Sequence, residues 1–293
     1  MQPDLVWIKG RSGATDHALY DAVRGTTLDL VSNSTAAETT QATGLTAFNS
    51  SGFTVGSLAK LNTNTSTYVG WQWKKGATPG FDIVTYTGNG SNRTIAHSLG
   101  VQPSWIIVRN RTAGGSWWNY HASLGATKAV RWDDTAAAGS YPTIWNNTAP
   151  TSSVFSVGTS GDVNGNTNNM VAYLFSEVAG FSKFGSYTGT NTSDGPFVYC
   201  GFRPRWVMVK SISTGGSATY GWAIFDTARE SYNINRSMLQ AEVSSAEDNT
   251  INADFDILSN GFKPRYSPNQ TNGANTYIFA AFAENPFKYS LAR

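Results

Sequence analysis

The chain has 293 residues and a formal net charge of +2, with only 14% charged residues against 40% hydrophobic ones. That apolar content is enough for real cores and excludes wholesale disorder, and the length allows two or three domains. No apolar run of about 18 residues is present to span a bilayer as a helix, no charged-then-apolar leader opens the chain, and the scattered basic residues, whose longest run is Lys74-Lys75, leave no footprint for nucleic acid.

In chain order, three segments open alike: Pro3-Asp-Leu-Val-Trp-Ile-Lys9, Pro103-Ser-Trp-Ile-Ile-Val-Arg109 and Pro204-Arg-Trp-Val-Met-Val-Lys210. Each is a proline, an apolar run and a cation six positions on, which reads as a strand buried on both faces. Proline suits a strand's first residue, where no ladder donor is needed. Tyr20-Asp21-Ala-Val-Arg24 then matches Phe225-Asp226-Thr-Ala-Arg229, with Tyr120-His121-Ala-Ser-Leu124 in the middle copy. Further strands are expected at 47–53, 154–158 and 255–262, and closing strands at 68–73, 170–175 and 277–282. Two leading segments, Gly80-Phe-Asp-Ile-Val-Thr-Tyr86 and Gly180-Phe-Ser-Lys-Phe-Gly-Ser-Tyr187, precede the second and third copies; none precedes the first. The first repeat either belongs to a longer chain or borrows a strand from elsewhere.

These signals predict an all-β protein of three tandem repeats, each about the size of a β-sandwich or jelly-roll domain. The divisions fall at 1–79 (lacking leading strands), 80–179 and 180–293. The repeats stand either as separate beads or as one body with pseudo-threefold symmetry. Helical turns are expected at most within 17–25 and 223–230.

The strings LVWIKGRSG, LYDAVRG, FNSSGFTVG and YVGWQWK, with GFDIVTYTGNG, GFSKFGSYTGT, DFDILSNGF and YIFAAFAENPF, resemble a family of tail-fibre-like repeat modules in marine bacteriophage virion proteins. The resemblance covers essentially the whole chain. It implies a structural protein of the virion and brings no catalytic residues with it.

Candidate sites follow from residue type. The pairs Asp21/Arg24 and Asp226/Arg229 are expected as local ion pairs that tie down a turn. Trp117, Trp118, Tyr120, Trp132, Tyr141 and Trp145 lie in a stretch rich in Gly, Ser and Asn, and are the candidate ligand-binding rings, since an aromatic face can stack on a sugar; the opposing reading is core. Trp105 and Trp206 are expected in the core. Three histidines (His17, His97, His121) and one cysteine, Cys200, are too few for a His/Cys zinc site or an internal disulfide. The run Asp162 to Asn168 lacks the glycine and glutamate of a calcium loop and reads as an Asn-rich turn. Asp133, Asp134, Asp254, Asp256 and Glu284 could serve glycoside hydrolysis only at suitable separations.

The resulting expectation is a non-enzymatic virion protein with no cofactor or metal. As a tail-fibre segment it would adhere to host surface glycans, binding other virion proteins and forming a homo-oligomer such as a trimer, without nucleic-acid binding or membrane insertion. Capsid decoration and a glycan depolymerase are the alternatives.

Overall fold

A computed structural model of the chain describes residues 1–250, 254–266 and 269–285. Repeat 1 forms β1 (Leu5–Gly10), β2 (Ala18–Asp21), β3 (Gly25–Leu30), β4 (Thr39–Thr40), β5 (Leu45–Asn49), β6 (Gly52–Val55), the single turn α1 (Ala59–Asn62) and β7 (Tyr68–Trp73). Repeat 2 forms β8 (Phe81–Thr87), β9 (Arg93–Ala96), β10 (Trp105–Asn110), β11 (Trp118–His121), β12 (Lys128–Arg131), β13 (Gly139–Ser140), α2 (Pro142–Trp145), β14 (Val154–Val157), α3 (Gly161–Asn164) and β15 (Asn169–Phe175). Repeat 3 forms β16 (Ser182–Thr188), β17 (Val198–Tyr199), β18 (Pro204–Ser211), β19 (Trp222–Asp226), β20 (Leu239–Gln240), β21 (Phe255–Leu258), β22 (Gly261–Pro264) and β23 (Thr276–Ala283). The protein is all-β, and among the described residues no helix is long and apolar enough to cross a membrane.

Each repeat builds one large antiparallel sheet: β4-β3-β2-β1-β7, β13-β12-β11-β10-β15-β8 and β20-β19-β18-β23-β16. The order is a meander in which the closing strand returns beside the opening one. Smaller elements lie in a second layer: the hairpin β5-β6, the pair β9-β14, and the sheet β17-β22-β21.

The opening strands β1, β10 and β18 explain the arrangement. Their apolar residues are buried on both faces, and the period of two splits them. Leu5 and Trp7, Trp105 and Ile107, and Trp206 and Met208 enter one central cluster shared by all three repeats. The alternate residues Val6 and Ile8, Ile106 and Val108, and Val207 and Val209 each enter a separate outer cluster of their own repeat. The repeats therefore share one central core and are sectors of one body, not separate beads. At its middle the Trp7 ring meets Trp71, Trp132 and Trp206 edge-on, at centroid distances of 4.9, 4.7 and 6.4 Å.

Neither 17–25 nor 223–230 forms a helix; each is the end of a strand followed by a turn that a side chain closes, and in the second the Glu230 amide also donates to the Asp226 carbonyl. Asp21 Oδ1 accepts from the amides of Val23 and Arg24, and Asp226 Oδ1 from those of Ala228 and Arg229. A short carboxylate that can bond the amides two and three residues on competes with helix at such positions. His121, in the equivalent place, uses Nδ1 to accept from the Ser123 amide at 3.2 Å. The run from Asp162 to Asn168 begins within α3, whose Ser160 cap accepts from the Asp162 amide, and is a turn only afterwards.

A shared core makes the three sectors unfold together. Urea denaturation followed by tryptophan fluorescence and by circular dichroism is expected to give one coincident transition. Trp7→Ala should lower its stability by about 3–5 kcal/mol, the range for a large buried aromatic.

Candidate functional site

The repeated polar residues meet at the seams between sectors. Where repeat 1 meets repeat 2, the Glu38 carboxylate accepts two bonds from Arg111, at 2.9 and 2.8 Å, and one from Arg24 at 2.7 Å. Arg24 in turn pairs with Asp21, and Asp21 accepts from the Tyr173 hydroxyl of repeat 2 at 2.8 Å. Where repeat 3 meets repeat 1, Glu247 takes Arg11 (3.0 and 2.9 Å) and Arg229 (2.8 Å). Arg229 pairs with Asp226 at 2.6 Å, which accepts from Trp71 Nε1 at 2.9 Å. The two pairs expected to tie down turns thus also join neighbouring sectors.

The third seam keeps the backbone and drops the charges. The Ala138 amide donates to the Ile212 carbonyl as the Glu38 amide does to Arg111 and the Glu247 amide to Arg11. Ala138, Leu124 and Ile212 pack against the central core in place of the ion network. His121 Nε2 lies 3.2 Å from the Phe279 carbonyl.

The cations that end the opening strands complete the seams. Lys9 Nζ donates to the Ser244 carbonyl of repeat 3, Arg109 to the Ala36 carbonyl of repeat 1, and Lys210 Nζ to the Thr135 carbonyl of repeat 2. All three side chains are buried, and burial pushes both lysines down to about 8 and Arg109 to about 10. Gly114 shows why glycine stands beside these seams: with φ at +75°, a Cβ there would sit 2.3 Å from the Thr35 carbonyl oxygen.

The aromatic stretch of repeat 2 is core. Trp117 and Trp132 lie in the central cluster, while Trp118, Tyr120 and Trp145 lie in the outer cluster with Tyr141 half-buried against it. Trp117 is 0% exposed and Trp145 2%. Trp117 Nε1 donates to the Val31 carbonyl and Trp118 Nε1 to Asp162 Oδ2. A sugar ring reaches none of these buried faces without opening a core, so they form no glycan platform. Ser, Gly and Asn around them are turn residues, which composition does not distinguish from a binding loop. Trp105 and Trp206 are also core, and Cys200 is a buried thiol pushed up to about 12 by burial.

Among the described residues no group of three or more His, Cys, Asp or Glu side chains is placed to hold a metal ion. Burial raises Asp133 and pushes Glu242 up to about 7. Each accepts from the first backbone amide region of its own sector's second strand, at Trp117 (2.6 Å) and Trp222 (2.9 Å). Asn33 does the same for His17 in repeat 1 at 2.9 Å, so the position is structural in all three repeats. Asp134, Asp254, Asp256 and Glu284 pair separately with Arg131, Arg236, Arg265 and Arg203.

Exposed rings occur instead in repeat 3. Phe197, just before the edge strand β17, and Tyr199 on it are 48% and 60% exposed, and Tyr232 is 81% exposed. Their alternation at the edge of a short strand was legible, but nothing in the sequence marked that strand as an edge. A separate apolar groove of about 820 Å³ runs beside β7. Its carboxylate Asp226 is already held by Arg229 and Trp71.

The sequence profile of a family described as a domain of unknown function (DUF7483) matches residues 1–286, and the chain belongs to that family. No curated protein and no solved structure matches it.

The buried histidines give the fold a pH dependence. His17 Nδ1 accepts from Trp7 Nε1 at 2.8 Å, so its proton is on Nε2, which donates to the Gln240 carbonyl at 2.9 Å. Burial holds His17 down at about 3 and His121 at about 4. Both are depressed below the unfolded value of roughly 6.5, so the unfolded chain takes up protons first. The stability they carry is complete above that value and is lost as pH falls through it, by about 2 kcal/mol each at pH 5. Glu242, raised in the fold, works in the opposite sense between about 7 and its unfolded value near 4.5. The Glu242→Gln variant should therefore lose urea stability more steeply than the parent between pH 7 and 5.

Proposed function

We propose that the protein is a non-enzymatic structural protein of a phage particle, most simply a tail-fibre segment, that contacts its targets through the outer rim of repeat 3. The observation that carries this reading is the use of the polar side chains. The repeated carboxylates and cations hold sector to sector, while the exposed large rings, Phe197, Tyr199 and Tyr232, gather in one repeat. A rigid body with a few exposed aromatic groups is suited to recognition. The particle assignment rests on the sequence resemblance and on the neutral, hydroxyl-rich composition. Weak contacts of this kind gain strength when several copies are presented together.

The test is binding of the purified chain to bacterial surface glycans and intact cells, beside Tyr199→Ala, Tyr232→Ala and Trp145→Ala. Loss of at least about tenfold in the two tyrosine variants, with circular dichroism unchanged, is expected. Trp145→Ala should instead destabilise the fold. Binding to phage particles and not to cells would replace adhesion by decoration, and release of reducing sugar would replace both by a depolymerase.

A further inference from the structure

The small layer of repeat 3 has two faces with different contents. In the order β17-β22-β21, Tyr199 lies opposite Gly261 and Gly261 opposite Leu258; one step along, Phe262 lies between Val198 and Ile257. Residues 233–235 continue the layer on the other edge of β21. Asn235 and Phe255 exchange backbone bonds of 2.8 and 3.0 Å, and the Asn233 side chain bonds both the amide and the carbonyl of Ile257 at 2.9 Å. Val198, Phe262, Ile257 and Phe255 face the outer core of the repeat. By the period of two, Phe197, Tyr199, Lys263, Asp256 and Leu258 belong to the opposite face, and none of these five is buried.

Two glycines set how the rings of that face lie. A Cβ on Gly261 would sit 3.1 Å from the Phe197 ring, and one on Gly201 would sit 3.5 Å from the Tyr199 hydroxyl and 3.7 Å from the ring carbon that bears it. Each ring therefore rests over backbone that carries no side chain, and both rings remain exposed. On the same face Lys263 pairs with Asp194 at 2.6 Å, and Arg265 lies 3.4 Å from Asp256 and 3.7 Å from Asp194. Two cations against two carboxylates leave this cluster without net charge while still offering donors and acceptors. At the far side of the layer Tyr232 is exposed next to the 233–235 segment, three strand spacings or about 14 Å from β17. A sugar ring has apolar faces and a rim of hydroxyls, so open aromatic rings meet the first and paired polar groups meet the second. The core of a protein interface is instead depleted of charge, and a polyanion is drawn by cations in excess.

We propose that this face is a platform for a neutral, extended polysaccharide, whose sugar rings stack on Phe197 and Tyr199, whose hydroxyls bond the Lys263–Asp194 and Arg265–Asp256 groups, and whose chain runs across the layer toward Tyr232. The proposal rests on the reading of repeat 3 as the contact region and adds to it the class of ligand and the direction in which it lies.

Electrophoresis of the full chain through gels that hold hydroxyethyl cellulose, dextran or galactomannan, or the acidic polygalacturonate, tests it. At least one of the neutral polymers should retard the chain, equally at low and high salt because stacking is not screened, while polygalacturonate should act no differently from an empty gel. Tyr199→Ala and Phe197→Ala should each weaken the binding about tenfold or more, and Tyr199→Phe, which keeps the ring, should retain most of it. Circular dichroism of the variants should match the parent; if Phe197→Ala disturbs the fold, the two Tyr199 variants decide. Retardation by none of the neutral polymers, or equal retardation of parent and Tyr199→Ala, would overturn the proposal. So would retardation by polygalacturonate alone that fades with salt, since the ligand would then be an acidic chain. Binding to cells or phage particles that Tyr199→Ala abolishes, without retardation by any neutral polymer, removes the polysaccharide and leaves the contact region standing. Binding to cells that survives Tyr199→Ala and Tyr232→Ala removes both.

Discussion

Everything in this molecule follows from an opening strand that is apolar on both faces. Such a strand cannot be satisfied by a single partner layer, because each face left in water forfeits about 25 cal/mol for every Å² of apolar surface. Each repeat covers one face of β1, β10 or β18 with its own small layer. The other face has no cover within the repeat. Three copies solve the problem for one another by turning those faces inward, where Trp7, Trp71, Trp132 and Trp206 interlock edge-on. Burial of this kind makes the repeat a sequence unit without making it a folding unit.

The hydrophobic centre brings the sectors together; the seams decide how they are rotated. Lys9, Arg109 and Lys210 each bond a carbonyl in the neighbouring sector, always in the same rotational sense. Burying such cations is costly, as the depressed lysines show, and only a carbonyl at the right place offsets the lost hydration. A slipped sector would leave the charge without that partner. The seams are also distinguishable: two carry an Arg–Glu–Arg network and one carries Ala138, Leu124 and Ile212. Unlike seams keep three similar repeats in one cyclic order, because an arginine network and an apolar contact do not substitute for each other.

This division of labour bears on function. Glu38, Glu247, the Asp21/Arg24 and Asp226/Arg229 pairs and the three closing cations join sector to sector, and the tryptophans of repeat 2 are core. The exposed large rings Phe197, Tyr199 and Tyr232 all belong to repeat 3. Recognition on this scaffold would come from the departures between repeats, since whatever the repeats share is used inside.

Much of the fold was legible in the sequence. The prolines at 3, 103 and 204, the apolar runs and the closing cations marked the repeats and their opening strands, because strand periodicity and the proline constraint are local. The leading strands of repeats 2 and 3 were legible for the same reason. Tertiary structure alone decided that the repeats share one core, that Asp21/Arg24 and Asp226/Arg229 reach across seams, and that the tryptophans of 117–145 are core. A tryptophan reads the same in a buried layer and on a binding face, and an Asp–Arg spacing shows the turn it closes but not the Tyr173 or Trp71 that approaches from another repeat. Sequence patterns report the backbone's own period; what covers the second face of a strand depends on residues a hundred or more positions away.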